Sequence, residues 1–313
     1  MAVVLSTYIA ATQALLGTGS AGNLYPTNSL IAYINIARNQ IASEGQCVRA
    51  LPAVNGPITV INLQSAGSGY TACDVIISAP DAPPASGPFV QGLQATAVAA
   101  LSAGQVASVT LINPGAGYFA PGVAFSGNGT GAAAIALVSG ISQTEPGQEV
   151  YPFSALTALV ASSTTGISEV LMVNSVSILW GVFRYTLMRL SFSKYQARAR
   201  TYTNAGYTYL PACFAQFGQG DAGSLYTYPV PNSNYPMEVD CCCLPITLMA
   251  DTDVEAIPYP WTDCVPFLAA YYALTGSQRF ADADRMWKEY EKFMKRARQM
   301  SNPRSVSNWY GRS

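Results

Sequence analysis

The chain has 313 residues, half of them hydrophobic, and 33 charged side chains (16 basic, 17 acidic), so it can bury a sizeable core with few charges to spare. It contains no histidine, which excludes Ser-His-Asp and Cys-His nucleophile arrangements and every histidine metal site. A net charge of −1 argues against a protein built to coat nucleic acid, and 19 Tyr, 11 Phe and 4 Trp are unlike a disordered chain; the balance fits a protein whose surface is largely covered by other protein.

The opening stretch, MAVVLSTYIAATQALLG, is apolar but has no Lys or Arg before its apolar run, so no secretory leader is expected. Ser6, Thr7, Thr12 and Gln13 interrupt it, and no membrane span is expected. Asn28 is placed to cap a helix reaching about Ser43, with Leu30, Ile34, Ala37 and Ile41 on one stripe and Gly45 just past its end.

Between Arg49 and Arg184 lie 134 residues without a single Lys or Arg. Within this region Asn62-Leu63-Gln64-Ser65-Ala66-Gly67-Ser68-Gly69-Tyr70 matches Thr110-Leu111-Ile112-Asn113-Pro114-Gly115-Ala116-Gly117-Tyr118 at an offset of 48. Val75-Ile76-Ile77-Ser78 and Val123-Ala124-Phe125-Ser126 continue the match. Each copy reads as strand, glycine turn and strand, followed by an Ala/Thr/Val strand (Ala95 to Leu101; Ala132 to Val138). Gly67, Gly69, Gly115 and Gly117 supply positive φ, and Tyr70 and Tyr118 are placed to cover the turns. A phosphate-cradling loop would need a helix N-terminus after the glycines, and strand-like residues follow instead. A small β domain is expected from about Pro57 to Gly140.

Tyr185, Met188, Phe192 and Tyr195 suggest a second helix across Arg184 to Arg200. From Tyr207 to Trp261 short strands and turns are expected: Ser224 to Tyr228 alternates, and Pro229, Pro231 and Pro236 punctuate. Asp251, Asp253 and Glu255 form an acidic cluster without EF-hand spacing, and read as a solvated loop. Glu238 with Asp240, or Asp251 with Glu255, are the carboxylate pairs available for hydrolysis, but sit in turn-rich sequence; no catalytic residue, metal or cofactor is assigned. The seven cysteines, Cys241, Cys242 and Cys243 among them, match no zinc spacing and read as buried small hydrophobes in a reducing compartment.

Thr262 is placed to cap a third helix carrying Val265, Leu268, Ala269 and Tyr272. Gly276-Ser277 turns into a fourth, from Gln278 to about Met300, with Phe280, Ala283, Trp287, Tyr290, Met294 and Ala297 on its apolar stripe. Asp284 with Lys288 and Glu291 with Lys295 are favourable i,i+4 pairs on the opposite face. Arg279 to Arg298 holds 11 of the 33 charges, and Arg296, Arg298 and Arg304 are candidates for subunit or partner contact. The expected fold is α+β: a helical-bundle core of about four helices with a turn-rich β segment and an inserted small all-β domain. Residues 1–56 begin the core, 57–140 form the insertion, 141–300 complete the core with the αα-hairpin, and 301–313 are a tail.

The set Phe217-Gly218-Gln219-Gly220, Tyr235-Pro236-Met237-Glu238-Val239-Asp240, Leu244-Pro245, Asp251-Thr252-Asp253 and Ile257 to Pro266 resembles the head-to-tail adaptor (connector) proteins of short-tailed bacteriophages. Ala269 to Ala273 and Ala283 to Tyr290 extend the resemblance, and Ile34 to Gln40 with Cys47-Val48-Arg49 is similar to the family's opening helix. It covers roughly Asn28 to Arg49 and Val170 to Ser313. The glycine-tyrosine repeat resembles a β module of various phage structural proteins, here inserted into the adaptor core.

The resemblance implies a virion protein of the phage neck, made in the host cytoplasm. Identical copies, commonly twelve, would form a ring beneath the portal protein, extend the DNA channel and offer a platform to the next tail or nozzle protein. It also implies that the C-terminal tail docks into the portal, with Arg304, Trp309, Tyr310 and Arg312 as suitable anchors. An alternative of a different class is a tail-fibre or surface-binding protein whose β repeat recognises host glycans through Tyr70 and Tyr118.

Overall fold

The computed structural model describes residues 3–17, 25–82, 91–180, 183–200 and 208–301. Among them, fourteen strands in four sheets accompany six α-helices, so the fold is a strand-rich mixed α/β architecture and not a four-helix bundle with a β appendage. The stretch after residue 140, expected to be a helical core with a turn-rich β segment, instead supplies seven of the eight strands of two four-stranded sheets. Buried β-branched side chains, Val170, Val173, Val176 and Ile178 among them, favour strand in this stretch.

The chain begins with α1 (Leu5–Leu16), which the sequence reading did not assign, and α2 (Thr27–Gly45). The latter starts at Thr27 without a side-chain cap from Asn28; the Pro26 carbonyl takes the amides of Ser29 and Leu30. After β1 (Arg49–Ala50) comes the insertion: β2 (Ile58–Ser68), β3 (Cys73–Ile77), β4 (Thr96–Ser102), β5 (Gln105–Asn113), β6 (Val123–Gly127) and β7 (Thr130–Val138). The order β5-β4-β3-β6 forms one sheet and β2-β7 a second, enclosing Ile58, Ile61, Ile77, Ala95, Tyr118 and Ala136.

The chain re-enters the core through β8 (Val150–Pro152), α3 (Phe153–Ser163), β9 (Ile167–Trp180), β10 (Phe183–Thr186), β11 (Met188–Leu190) and α4 (Phe192–Arg200). The helix expected over Arg184 to Arg200 is therefore helical only from Phe192. Arg184 and Tyr185 pair with Leu179 and Ile178, because the adjacent long strand offers this segment a ready hydrogen-bonding partner. Then follow β12 (Cys213–Phe217), β13 (Ser224–Tyr228), β14 (Met237–Pro245), α5 (Val265–Gly276) and α6 (Phe280–Ser301). A short 3-10 turn, Trp261–Cys264, leads into α5, so Thr262 lies inside that turn and caps nothing by its side chain.

The order β1-β14-β9-β10 forms the central sheet and β11-β12-β13-β8 the other. Val170, Val173, Val176, Val239, Cys241 and Cys243 are fully buried and share one core with Ile34, Ile41, Leu268 and Met294. The four helices α1, α2, α5 and α6 meet in a small cluster of their own around Leu16, Leu30, Ala273 and Ala283, and with their other side chains they join the larger core on the sheet. The insertion leaves and returns at one place, since its first residue pair is Ile58 with Val138.

Candidate functional site

The six predicted turn residues come together as two equivalent structures. Gly67 and Gly115 have φ of +63° and +61°, and Gly69 and Gly117 both have +80°. A Cβ on Gly67 would approach Ala132 N and Thr130 O to 2.5 Å, and one on Gly115 would reach Leu93 O at 2.4 Å. The Tyr70 and Tyr118 rings lie over these glycines, 4% and 0% exposed. Their hydroxyls accept from Ala132 N (3.4 Å) near the start of β7 and Ala95 N (2.8 Å) just before β4. Buried and hydrogen-bonded, neither ring is available to stack on a sugar.

Of the acidic cluster, Asp251 is exposed as expected for a solvated loop, but the Glu255 side chain is buried. Arg38 and Glu255, 0% and 1% exposed, form a two-pronged ion pair, Nε to Oε2 at 2.7 Å and Nη2 to Oε1 at 2.8 Å. Arg38 Nη1 donates to Asn35 Oδ1 and to the Ile246 carbonyl, both at 2.8 Å. Asn35 in turn exchanges hydrogen bonds with both backbone groups of Leu248. Glu255 Oε1 also accepts from the amides of Ala256 and Ile257. A buried charge needs this degree of satisfaction, because an unpaired one would be strongly destabilising. Burial, then the Glu255 charge, pushes the Tyr8 phenol of α1 above its ordinary pKa.

The same loop holds the start of α1: the amides of Leu5 and Ser6 donate to the carbonyls of Asp253 and Asp251, both at 3.2 Å. Asp253 accepts from Met249 N and Ala250 N, which hold its carboxyl below the usual range. Loop 246–257 is thus a clasp joining α1 and α2. The sequence carried a signal for it: Arg38 falls on the face of α2 that also bears Ile34, Ala37 and Ile41, and an arginine on an apolar stripe requires a buried partner.

The other carboxylate pair is also engaged. Glu238 pairs with Arg184 at 2.7 Å, and Asp240 pairs with Arg49. Burial raises the thiol of Cys242 to about 11 and those of Cys47, Cys243 and Cys264 to about 12, so they are protonated at neutral pH and are not nucleophiles there. Among the described residues no three His, Cys, Asp or Glu side chains converge to hold a metal.

Among the described residues, α6 and β10 each carry an exposed surface. On α6 the buried stripe is Ala283, Tyr290, Met294 and Ala297, and Arg285, Lys288, Lys295, Arg296 and Arg298 project outward. The expected pairs Asp284–Lys288 and Glu291–Lys295 do not close. Lys292 pairs with Glu289 at 2.7 Å, Arg279 with Asp282 at 2.5 Å, and Glu291 accepts from Trp287 Nε1. Arg296 and Arg298 form no ion pair with a described residue. The second surface is β10, an edge strand, where Phe183 is 62% exposed, with Trp180 and Tyr185 packed beside one another. The helix assignment hid this edge, although alternating Phe183 and Tyr185 after a long strand is a hairpin pattern. Arg304, Trp309, Tyr310 and Arg312 lie outside the described residues.

No described helix is long and apolar enough to cross a membrane. Models of known protein families give no match to the chain, and curated proteins give none either.

Proposed function

We propose that this chain is the head-to-tail adaptor of a short-tailed bacteriophage, a virion structural protein of the phage neck. Identical copies, twelve by family resemblance, close a ring under the portal protein. The ring extends the channel through which DNA passes and presents its far side to the next tail component. The chain works by binding, with no catalytic role and no cofactor.

One observation carries this reading. The two separated stretches that resemble the family meet in a single buried network, with Asn35 and Arg38 from the first and Ile246, Leu248 and Glu255 from the second. A resemblance scattered along a chain by chance would not be expected to converge on one buried, extensively hydrogen-bonded ion pair. The exposed surfaces add support: a closed ring of identical subunits needs two different faces on each copy. The aromatic edge at β10 and the basic side of α6 differ in this way. The insertion leaves and returns at one place, where Ile58 pairs with Val138, which suits a module carried on the outside of the ring.

The purified chain, alone and mixed with its portal, is to be weighed by native mass spectrometry and imaged in negative stain. Rings, or portal-bound rings, are expected, and a chain that stays monomeric and ignores the portal overturns the reading. Deleting Asn302 to Ser313 is expected to abolish portal docking and leave the fold intact.

A further inference from the structure

A cleft of about 390 Å³ lies where the inserted β domain meets the central sheet. That volume falls within the range of small-ligand sites, about 300–1,000 Å³, which favour such junctions. Its walls bring together Trp180 at the end of β9, Tyr235 ahead of β14 and Phe119 of the insertion, with Asp81, Asn55 and Asn234 among them. The two units of the chain thus each contribute aromatic and polar groups to one opening.

Two of the lining groups, Asp81 and Tyr235, are held in place by hydrogen bonds. Asp81 Oδ2 accepts from Phe119 N (2.7 Å) and Ala120 N (3.2 Å), and Oδ1 has no donor among the described residues. Tyr235 is fixed by its hydroxyl, which donates to Asn232 Oδ1 at 2.7 Å, and by its amide, which donates to Thr144 Oγ1 at 2.9 Å. The Trp180 ring is half exposed and braced against Tyr185, 6.0 Å between centroids. Among the described residues no Lys or Arg lines the cleft, and Asp81 is the one charged group of its lining.

These features select among ligand classes. An anion would meet a carboxylate and no cation, and an isolated cation would find one carboxylate and no second ligand charge. A wholly apolar ligand would leave Asp81 and two side-chain amides without partners, which is unfavourable. A neutral pyranose fits, because its C–H face lies flat on an aromatic ring and its hydroxyl rim both donates to carboxylates and exchanges bonds with amides.

We propose that this cleft binds a short neutral saccharide, with Trp180 as the stacking platform and Asp81, Asn55 and Asn234 as the hydroxyl-binding groups. The site is separate from the Tyr70 and Tyr118 turns, and it does not depend on ring formation. An adaptor without sugar affinity, or a monomer with it, would separate the two readings.

The test uses the full chain on a glycan array of neutral hexoses, 6-deoxyhexoses, N-acetylhexosamines and their short oligomers, with sialylated and sulfated glycans and a proline- and aromatic-rich peptide set for comparison. Hits are then titrated by calorimetry. Saturable binding to a neutral glycan is expected, weakened about tenfold by Trp180→Ala and measurably by Asn234→Ala. Asn234 is exposed, so its variant keeps the fold. Absence of any neutral hit, preference for acidic glycans or for the peptides, or affinity unchanged in both variants overturns the proposal.

Discussion

Ile76 of β3 pairs with Ala124 of β6, and the two occupy equivalent positions in the repeat, 48 residues apart. The rungs on either side exchange under the same offset: Val75 pairs with Phe125, and Ile77 with Val123. The insertion therefore has an internal pseudo-twofold axis through this pair. The outer strands obey it as well, since β2 pairs with β7 and β5 with β4. Each copy's first strand is completed by the other copy's last.

The turns provide a graded test of this arrangement. Gly67→Ala and Gly115→Ala add a Cβ against backbone atoms at positive φ, and each is expected to destabilise the protein by more than about 2 kcal/mol. Gly69→Ala has positive φ but nothing nearer than 3.8 Å, so about 1 kcal/mol is expected. Gly117→Ala should exceed it, because its Cβ would come 2.6 Å from Ala82 Cβ. Urea unfolding of the four variants checks the order, and equal losses would contradict the turn geometry.

The clasp yields a second prediction. Arg38→Met or Glu255→Leu alone strands a buried charge and should cost about 3–5 kcal/mol. Removing both should recover part of that, but not all, because the Ala256 and Ile257 amides lose their acceptor. Denaturant midpoints of the two single variants and the double variant form the measuring cycle. Purely additive losses would mean that the pair is not coupled.

These two regions show what the sequence made legible. The repeat offset and its glycines were readable because backbone conformation at Gly67 or Gly115 is a local demand on residue type. Strand exchange was not, because pairing partners are chosen by tertiary contact. The stripes of α2, α5 and α6 were readable from spacing, whereas β9 and β10 were hidden. Tyr185, Met188, Phe192 and Tyr195 satisfy a helical spacing that the adjacent strand overrides for the first two. Glu255 looked like one of three solvated acids, because its partner Arg38 lies 217 residues away.

Alkaline stability follows from the buried thiols. The folded chain holds the Cys242 proton to about 11 and those of Cys243 and Cys264 to about 12, against an ordinary 9.0. Above about pH 9 the unfolded chain releases these protons while the folded one keeps them, so unfolding gains and stability falls as pH rises. Below pH 9 both states are protonated and the contribution is flat. Urea midpoints are expected to be level from pH 7 to 8.5 and to decline toward pH 11, with a shallower decline in Cys264→Ala. An unchanged slope in that variant would remove Cys264 from the cause.

The proposed assembly predicts a separation between stability and association. Arg296 and Arg298 are exposed and form no ion pair with a described residue, so Arg296→Gln with Arg298→Gln should leave the unfolding midpoint within about 0.5 kcal/mol of the parent. Phe183→Lys places a charge on an exposed edge strand, a change edge strands tolerate and one that blocks pairing with another chain. If β10 and α6 form the two faces of a ring contact, each variant should shift native mass from ring to monomer while melting as the parent does. Mixing the two variants should not restore rings, because a closed ring needs both faces on every copy. Rings of parental mass in both variants would place the subunit contact elsewhere on the chain.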